Sequence, residues 1–225
     1  MALHGRAFVA IWHGIQTGGE DEYRAWHTQE HMPERLGVPG FLQGRRYVDW
    51  SLQPHPTFTL YEGAHIETFR SPGYLARLND PTEWSNRVQP TMTNFLRGGC
   101  ETLFSFGNGI GGAIATIRLS APAGGGESFE GRLAGETLAL RGNPAVTSIH
   151  IGLHAEAVTG AETEESKMRP SVFGGGFSHV VLIEGTSVAA LTKISGALTG
   201  MLEAIGARNL WAASYPLDFA LRTPA

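Results

Sequence analysis

Residues 20–41 read Glu20-Asp21-Glu22-Tyr23-Arg24-Ala25-Trp26-His27-Thr28-Gln29-Glu30-His31-Met32-Pro33-Glu34-Arg35-Leu36-Gly37-Val38-Pro39-Gly40-Phe41. The run opens on three acidic residues, which the positive end of a helix dipole favours. It closes on Gly37-Val38-Pro39-Gly40, which breaks a helix. A helix is therefore expected from Glu20 to about Leu36, ended or deformed at Pro33. On it, His27 and His31 stand four residues apart and share a face. Tyr23 extends that face by one turn, and Trp26 and Glu30 occupy the neighbouring stripe.

Working outward, Ala7 to Ile15 reads as a strand before the helix. Phe41 to Trp50 and Thr57 to Glu62 read as strands after it. His65 to Asn79 is a broken helical stretch, Asp80-Pro81-Thr82-Glu83 opens a further turn with an N-cap signature, and Met92 to Phe106 is extended. The order is β-α-β-β-α-β. The glycine-rich run Gly107 to Gly112 lacks phosphate-loop spacing and reads as a linker. Beyond it the order repeats, with strands at Ala113–Leu119, Val146–Glu156, Phe177–Glu184 and Leu210–Leu221. Helices fall at Glu127–Leu140 and Ser187–Ile205, and the polar, acidic stretch Thr159–Pro170 reads as a long exposed loop.

A repeat of six elements in order points to an α+β chain of two tandem ferredoxin-like βαββαβ halves, residues 1–108 and 109–225. Each half makes an antiparallel sheet with both helices on one face. Two such sheets form an α/β barrel with a central cavity, supplied by two halves of one chain or by two chains. Edge strands left open favour pairing into a homodimer.

The 225 residues carry a formal net charge of −4. The densest basic spot is Arg45-Arg46, which argues against a nucleic-acid partner. One cysteine, Cys100, precludes an intrachain disulfide and suits a reducing, cytoplasmic setting. It reads as a small buried hydrophobe rather than a catalytic thiol. No signal-peptide core and no run of roughly 20 apolar residues is present, so no membrane partner is expected.

Several side chains are candidates for chemistry. A buried histidine must find a partner or stay neutral. His27-x-x-Glu30-His31 spells an inverted zinc-protease motif, but Pro33 follows at once and neither Glu67 nor Glu83 has the spacing of a third ligand, so no metal is expected. In the first strand, Val9, Ile11 and His13 share one face and Phe8, Ala10 and Trp12 the other. In the second, Gln43, Arg45, Tyr47 and Asp49 form a face polar enough to line a wet cavity, and Tyr61 at the end of the third strand can reach the same space. In the second half His150, Gly152 and His154 share a strand face, but the span of about 13 Å is too long for one metal. The apolar stripe of Ser187–Ile205 is core.

The segment Tyr23-x-x-Trp26-His27-x-x-Glu30-His31-x-Pro33-Glu34-Arg35-Leu36-x-Val38-Pro39-Gly40-Phe41, continuing to Arg45-Arg46-Tyr47, resembles the dimeric α/β-barrel superfamily, and within it the EthD-like group. The likeness covers residues 7–106 by motif and the second half by element order alone. It implies that His31, the position matching the family's His-x-Pro, points into a cavity. Members include monooxygenases, lactone isomerases, polyketide cyclases, dehydratases and haem enzymes, so the fold does not choose the reaction. The expectation is a catabolic, cofactor-independent lyase or isomerase acting on a small aromatic, lactone or polyketide-like metabolite. His31 would be the general acid or base, with His27, Tyr23 or Tyr47 orienting the substrate or donating to an oxyanion. Arg45 would hold a carboxylate or enolate, and Trp12, Trp26, Phe41 and Tyr61 would contact substrate. The alternatives are an oxygenase, either cofactor-free or haem-dependent through His31, His150 or His154, zinc chemistry at His27 and His31, and a non-enzymatic small-molecule-binding protein.

Overall fold

The computed structural model describes residues 3–158, 162–169 and 176–223. In chain order the elements are β1 (Ala7–Ile15), α1 (Glu20–Trp26), a π-helical turn (His27–His31), α2 (Met32–Leu36), β2 (Phe41–Val48), β3 (Thr57–Gly63), α3 (Pro72–Asn79), α4 (Glu83–Val88) and β4 (Met92–Gly107). There follow β5 (Ala113–Ser120), α5 (Gly126–Leu138), β6 (Val146–His154), α6 (Glu164–Met168), β7 (His179–Gly185), α7 (Val188–Ala204) and β8 (Arg208–Arg222). The hydrogen-bonded strand order, β1-β3-β2-β8-β5-β7-β6-β4, closes on itself as an eight-stranded barrel. Within it β4-β1-β3-β2 and β8-β5-β7-β6 each carry the strand order of a ferredoxin-like half.

The chain separates into two compact units, and these do not divide at 108/109. One comprises residues 5–99, 155–175 and 218–225, the other 1–4, 100–154 and 176–217. Strands β4 and β8 each contribute one end to either unit.

In the first unit β3 lies between β1 and β2, antiparallel to both, with Ala10 opposite Leu60 and Arg46 opposite Thr59. Alternation sends Val9, Ile11, His13, Thr59 and Tyr61 toward the helices and Trp12, Phe58, Leu60 and Glu62 to the other face. A bulge between Phe41 and Gln43 shifts the register of β2. Phe41 therefore packs with Tyr61, Phe69 and Tyr74 on the helix side, while Arg45 and Tyr47 face away. Gly44 has no room for a side chain, because a Cβ there would stand 2.9 Å from Met32 and 3.0 Å from Tyr61. Met32, Leu36, Phe41, Tyr61 and Phe69 form one core cluster; Tyr23, Trp26, Val88, Met92 and Phe95 form the other.

The second unit has β7 between β5 and β6, with Phe129 and Leu133 of α5 and Leu191, Leu198 and Leu202 of α7 buried on Ile117, Ile149, Val181 and Ile183. Cys100 is fully buried.

The stretch read as an exposed loop, Thr159–Pro170, is different where it is described. Thr163 caps a helix with a capping box, Glu164–Met168 follow as α6, and Thr163 and Glu165 are buried. Residues 159–161 and 170 lie outside the described residues. Among those described, no helix is long and apolar enough to cross a membrane.

Candidate active site

The helix expected from Glu20 to Leu36 is present, with one wide turn in it. The Met32 N–H donates to the His27 carbonyl, five residues back rather than four. Pro33 gives the local reason, since it has no N–H for the Gln29 carbonyl and its ring crowds that carbonyl. A widened turn just ahead absorbs the clash, and such turns recur at functional sites. The result sets the His27 and His31 rings 5.5 Å apart, with His31 stacked on Trp26 at 4.2 Å. Trp26 is held in turn by its indole N–H, which donates to Ser85 Oγ on α4 at 3.2 Å.

Both histidines line a cavity of about 110 Å³ that belongs wholly to the first unit. Its sheet wall is Ile11 and His13 of β1 with Thr59 and Tyr61 of β3, and Phe69, Met92 and Phe95 add apolar surface. An engineered cavity of about 150 Å³ holds benzene, so the enclosed space suits a body of about one ring. Arg35, Gln89, Arg97, Glu165 and Arg169 bring polar groups to the same wall.

Burial, reinforced by Arg46, holds His27 well below its ordinary pKa; burial, reinforced by Arg35, does the same for His31. Both are neutral near pH 7. His27 Nε2 and the Tyr61 hydroxyl form a hydrogen bond at 3.3 Å, and burial pushes the Tyr61 phenol well above its usual range. Neither His27 Nδ1 nor His31 Nδ1 has a hydrogen-bond partner among the described residues, and the same is true of Gln89 Oε1. Behind them, His13 Nε2 meets the Tyr23 hydroxyl at 3.2 Å. Burial lowers the His13 pKa to about 4 and raises that of Tyr23 to about 12.

A buried charge network closes the helix side. Glu165 of α6 accepts from Arg35 through Oε1 and from Arg169 through Oε2, the latter at 3.2 Å. Burial works against the Arg35 cation, but Glu165, Tyr74, Glu34 and Tyr61 together outweigh it and its pKa stays above the ordinary value. For Arg169 burial prevails over Glu165 and brings the pKa to about 10. The Arg169 guanidinium lies 4.1 Å above the Phe95 ring.

Of the residues singled out from sequence, His27, His31 and Tyr61 come together in the cavity wall. Tyr23, Trp26 and Phe41 support it from behind, through His13, His31 and Tyr61 respectively. Trp12, Arg45 and Tyr47 are not brought to His31. They point from the opposite face of the strands, where Trp12 packs on Phe58 at 5.1 Å and Arg45 donates to Glu62 at 2.9 Å. His13, Arg35, Gln89, Arg97, Glu165 and Arg169 were not expected. For Glu165 a signal existed: Thr163-Glu164-Glu165 is an N-cap followed by an acidic first turn.

His27 Nε2 is engaged by Tyr61, and no group of three or more His, Cys, Asp or Glu among the described residues is placed to hold a metal ion. The cavity beside His31 is well below the roughly 300–1,000 Å³ of drug-sized ligand sites, and haem is larger still. His150 has Nδ1 on Ser105 Oγ at 2.8 Å and Nε2 on Ser148 Oγ at 3.2 Å.

No family model matches the chain, and no curated protein does. Solved structures do match over its whole length. An anthrone oxidase-like protein superposes with a TM-score of 0.63 at 11% identity, covering 100% of this chain and 97% of that one. A protein from Fusobacterium nucleatum subsp. nucleatum, named as a candidate monooxygenase, gives 0.61 at 9% identity over 98% and 96%. A chlorite dismutase variant from Candidatus Nitrospira defluvii, in complex with cyanide, gives 0.58 at 9% identity over 96% and 92%. At these identities the likeness shows the shared ferredoxin-like barrel fold alone.

Proposed function

We propose that the cavity is the active site of a cofactor-independent enzyme in which His31 takes a proton from a small aromatic, lactone or polyketide-like metabolite. The carrying observation is a pair of buried, neutral imidazoles that line the cavity and whose Nδ1 atoms have no hydrogen-bond partner among the described residues. A buried polar atom without a partner costs of the order of 1–3 kcal/mol, and a substrate proton or carbonyl supplies one. His31 is the base because Tyr61 already engages His27 Nε2. His27 and Tyr61 then form a relay that orients the substrate or donates to a developing oxyanion. The lone cysteine supports a reducing, cytoplasmic setting.

The fate of the carbanion left by proton removal separates two readings. Expulsion of a leaving group, or reprotonation at a neighbouring carbon, makes the enzyme a lyase or isomerase. Transfer of electrons from the carbanion to dioxygen makes it a cofactor-free oxygenase, a reading supported by the names of the anthrone oxidase-like and monooxygenase-named relatives.

The test is deuterium uptake from D₂O by a panel of cyclic ketones, lactones and phenols, followed by mass spectrometry with an oxygen electrode alongside. Exchange that His31→Ala reduces at least 100-fold supports the base. Oxygen consumption with the same substrate selects the oxygenase. Tight binding with no exchange and no turnover replaces both readings with a binding protein.

A further inference from the structure

The cavity is electrostatically unbalanced. Three guanidinium groups, from Arg35, Arg97 and Arg169, line it, against one carboxylate, Glu165, among the described residues. Glu165 is fully shared, with one oxygen to Arg35 and the other to Arg169. Arg97 donates Nη1 to the Val158 carbonyl at 2.7 Å and has no carboxylate within ion-pair distance among the described residues. Arg97 is partly buried, and a cation at the mouth of an apolar cavity is most favourably met by an anion.

A second set of groups points to the same ligand. His27 Nδ1, His31 Nδ1 and Gln89 Oε1 lack partners among the described residues, and their side chains are at most 9% exposed. The remaining wall is apolar, from Ile11, Phe69, Met92 and Phe95. A matching molecule has an apolar body of about one ring, an anionic end for the guanidinium groups, and a second polar group for the imidazoles and Gln89.

Building on the active-site reading, we infer that the substrate is a monoanionic ring carboxylate. Its carboxylate sits against Arg97 and Arg169, and its hydroxyl or oxo group meets His31 and Gln89. Guanidinium and carboxylate pair through two parallel hydrogen bonds, which fixes orientation as well as charge. One arginine without a carboxylate matches one negative charge, whereas a phosphate dianion would bring a second charge toward Glu165. Binding also favours the base. Arg35 and Arg169 both depress the His31 pKa, so a bound carboxylate offsets them and restores basicity when substrate is present.

Calorimetry at low salt with 4-hydroxybenzoate, benzoate and benzamide tests this, since benzamide keeps the ring and loses the charge. The expected result is a Kd at least tenfold lower for either carboxylate than for benzamide. In Arg97→Gln that preference falls to threefold or less, and Arg97→Lys recovers part of it; thermal melts of the free variants check that they are folded. Equal affinity for benzoate and benzamide, no binding of any ring, or a preference that survives both Arg97→Gln and Arg169→Gln overturns the inference. If His31→Ala exchanges deuterium normally while the carboxylate preference holds, the base assignment fails and the charge reading stands. If His31→Ala loses exchange and no preference for carboxylates is found, the base assignment stands and the charge reading fails.

Discussion

Acidification should destabilise this protein steeply below pH 6.5. His13, His27 and His31 are all buried, and burial is the first cause of the lowered pKa at each; for His13 the value falls from 6.5 to about 4. A histidine whose folded pKa lies below its unfolded one contributes nothing above pH 6.5, where both states are neutral. Below 6.5 the unfolded chain binds a proton that the folded chain refuses, so stability falls as pH falls until the folded pKa is reached. One pH unit per proton is 1.36 kcal/mol. At pH 5 His13 alone therefore costs about 2 kcal/mol, and His27 and His31 add to it in the same direction, against the roughly 5–15 kcal/mol that holds an ordinary domain folded. Urea unfolding between pH 7.5 and 5, followed by tryptophan fluorescence, should show a slope steeper than the about 1.36 kcal/mol per pH unit of a single proton. His31→Gln should remove about one proton from that slope, whatever it does to stability at pH 7.5. A slope of one proton or less, or one that His31→Gln leaves unchanged, would refute the assignment of these imidazoles as buried and neutral.

Three further outcomes are expected. Glu165→Ala strands Arg169 and leaves Arg35 with Glu34 alone, at 3.6 Å, and loss of one partner from a buried ion pair should cost about 3–5 kcal/mol by chemical denaturation. Gly44→Ala drives a methyl against Met32 and Tyr61, with an overpacking cost of about 1–3 kcal/mol and a shift in the His27 ring resonances by NMR. Tyr61→Phe removes the hydroxyl that meets His27 Nε2; it should lower stability by only about 1 kcal/mol while reducing deuterium exchange more than the change in stability explains.

The element order was legible because hydrophobic period and turn residues mark each element locally. β1 and the start of α1 fall where Ala7, Ile15 and the acidic run at Glu20 place them. The faces of β2 were harder to read. The bulge between Phe41 and Gln43 moves Phe41 to the helix side, and a one-residue shift inverts a strand's alternation. His31 was found through its motif, and its geometry was not, because the wide turn depends on Pro33 acting on the backbone rather than on any letter in the turn. Glu165 and Arg169 were missed because charge density normally means exposure. Their burial depends on Arg35, a partner 130 residues away in the chain that hydropathy cannot connect.

That separation sets a clock on the site. A ribosome adds about 5–20 residues per second, so Arg35 leaves the tunnel roughly 7–26 s before Glu165 does. During that interval the nascent chain holds His27, His31 and Tyr61 but lacks the carboxylate that neutralises the helix wall. A fragment stopping at residue 108 would remain permanently in that condition, with Glu34, 3.6 Å away, as the partner left to Arg35. Glu165 thus joins the wall of the site only once α6 has been made.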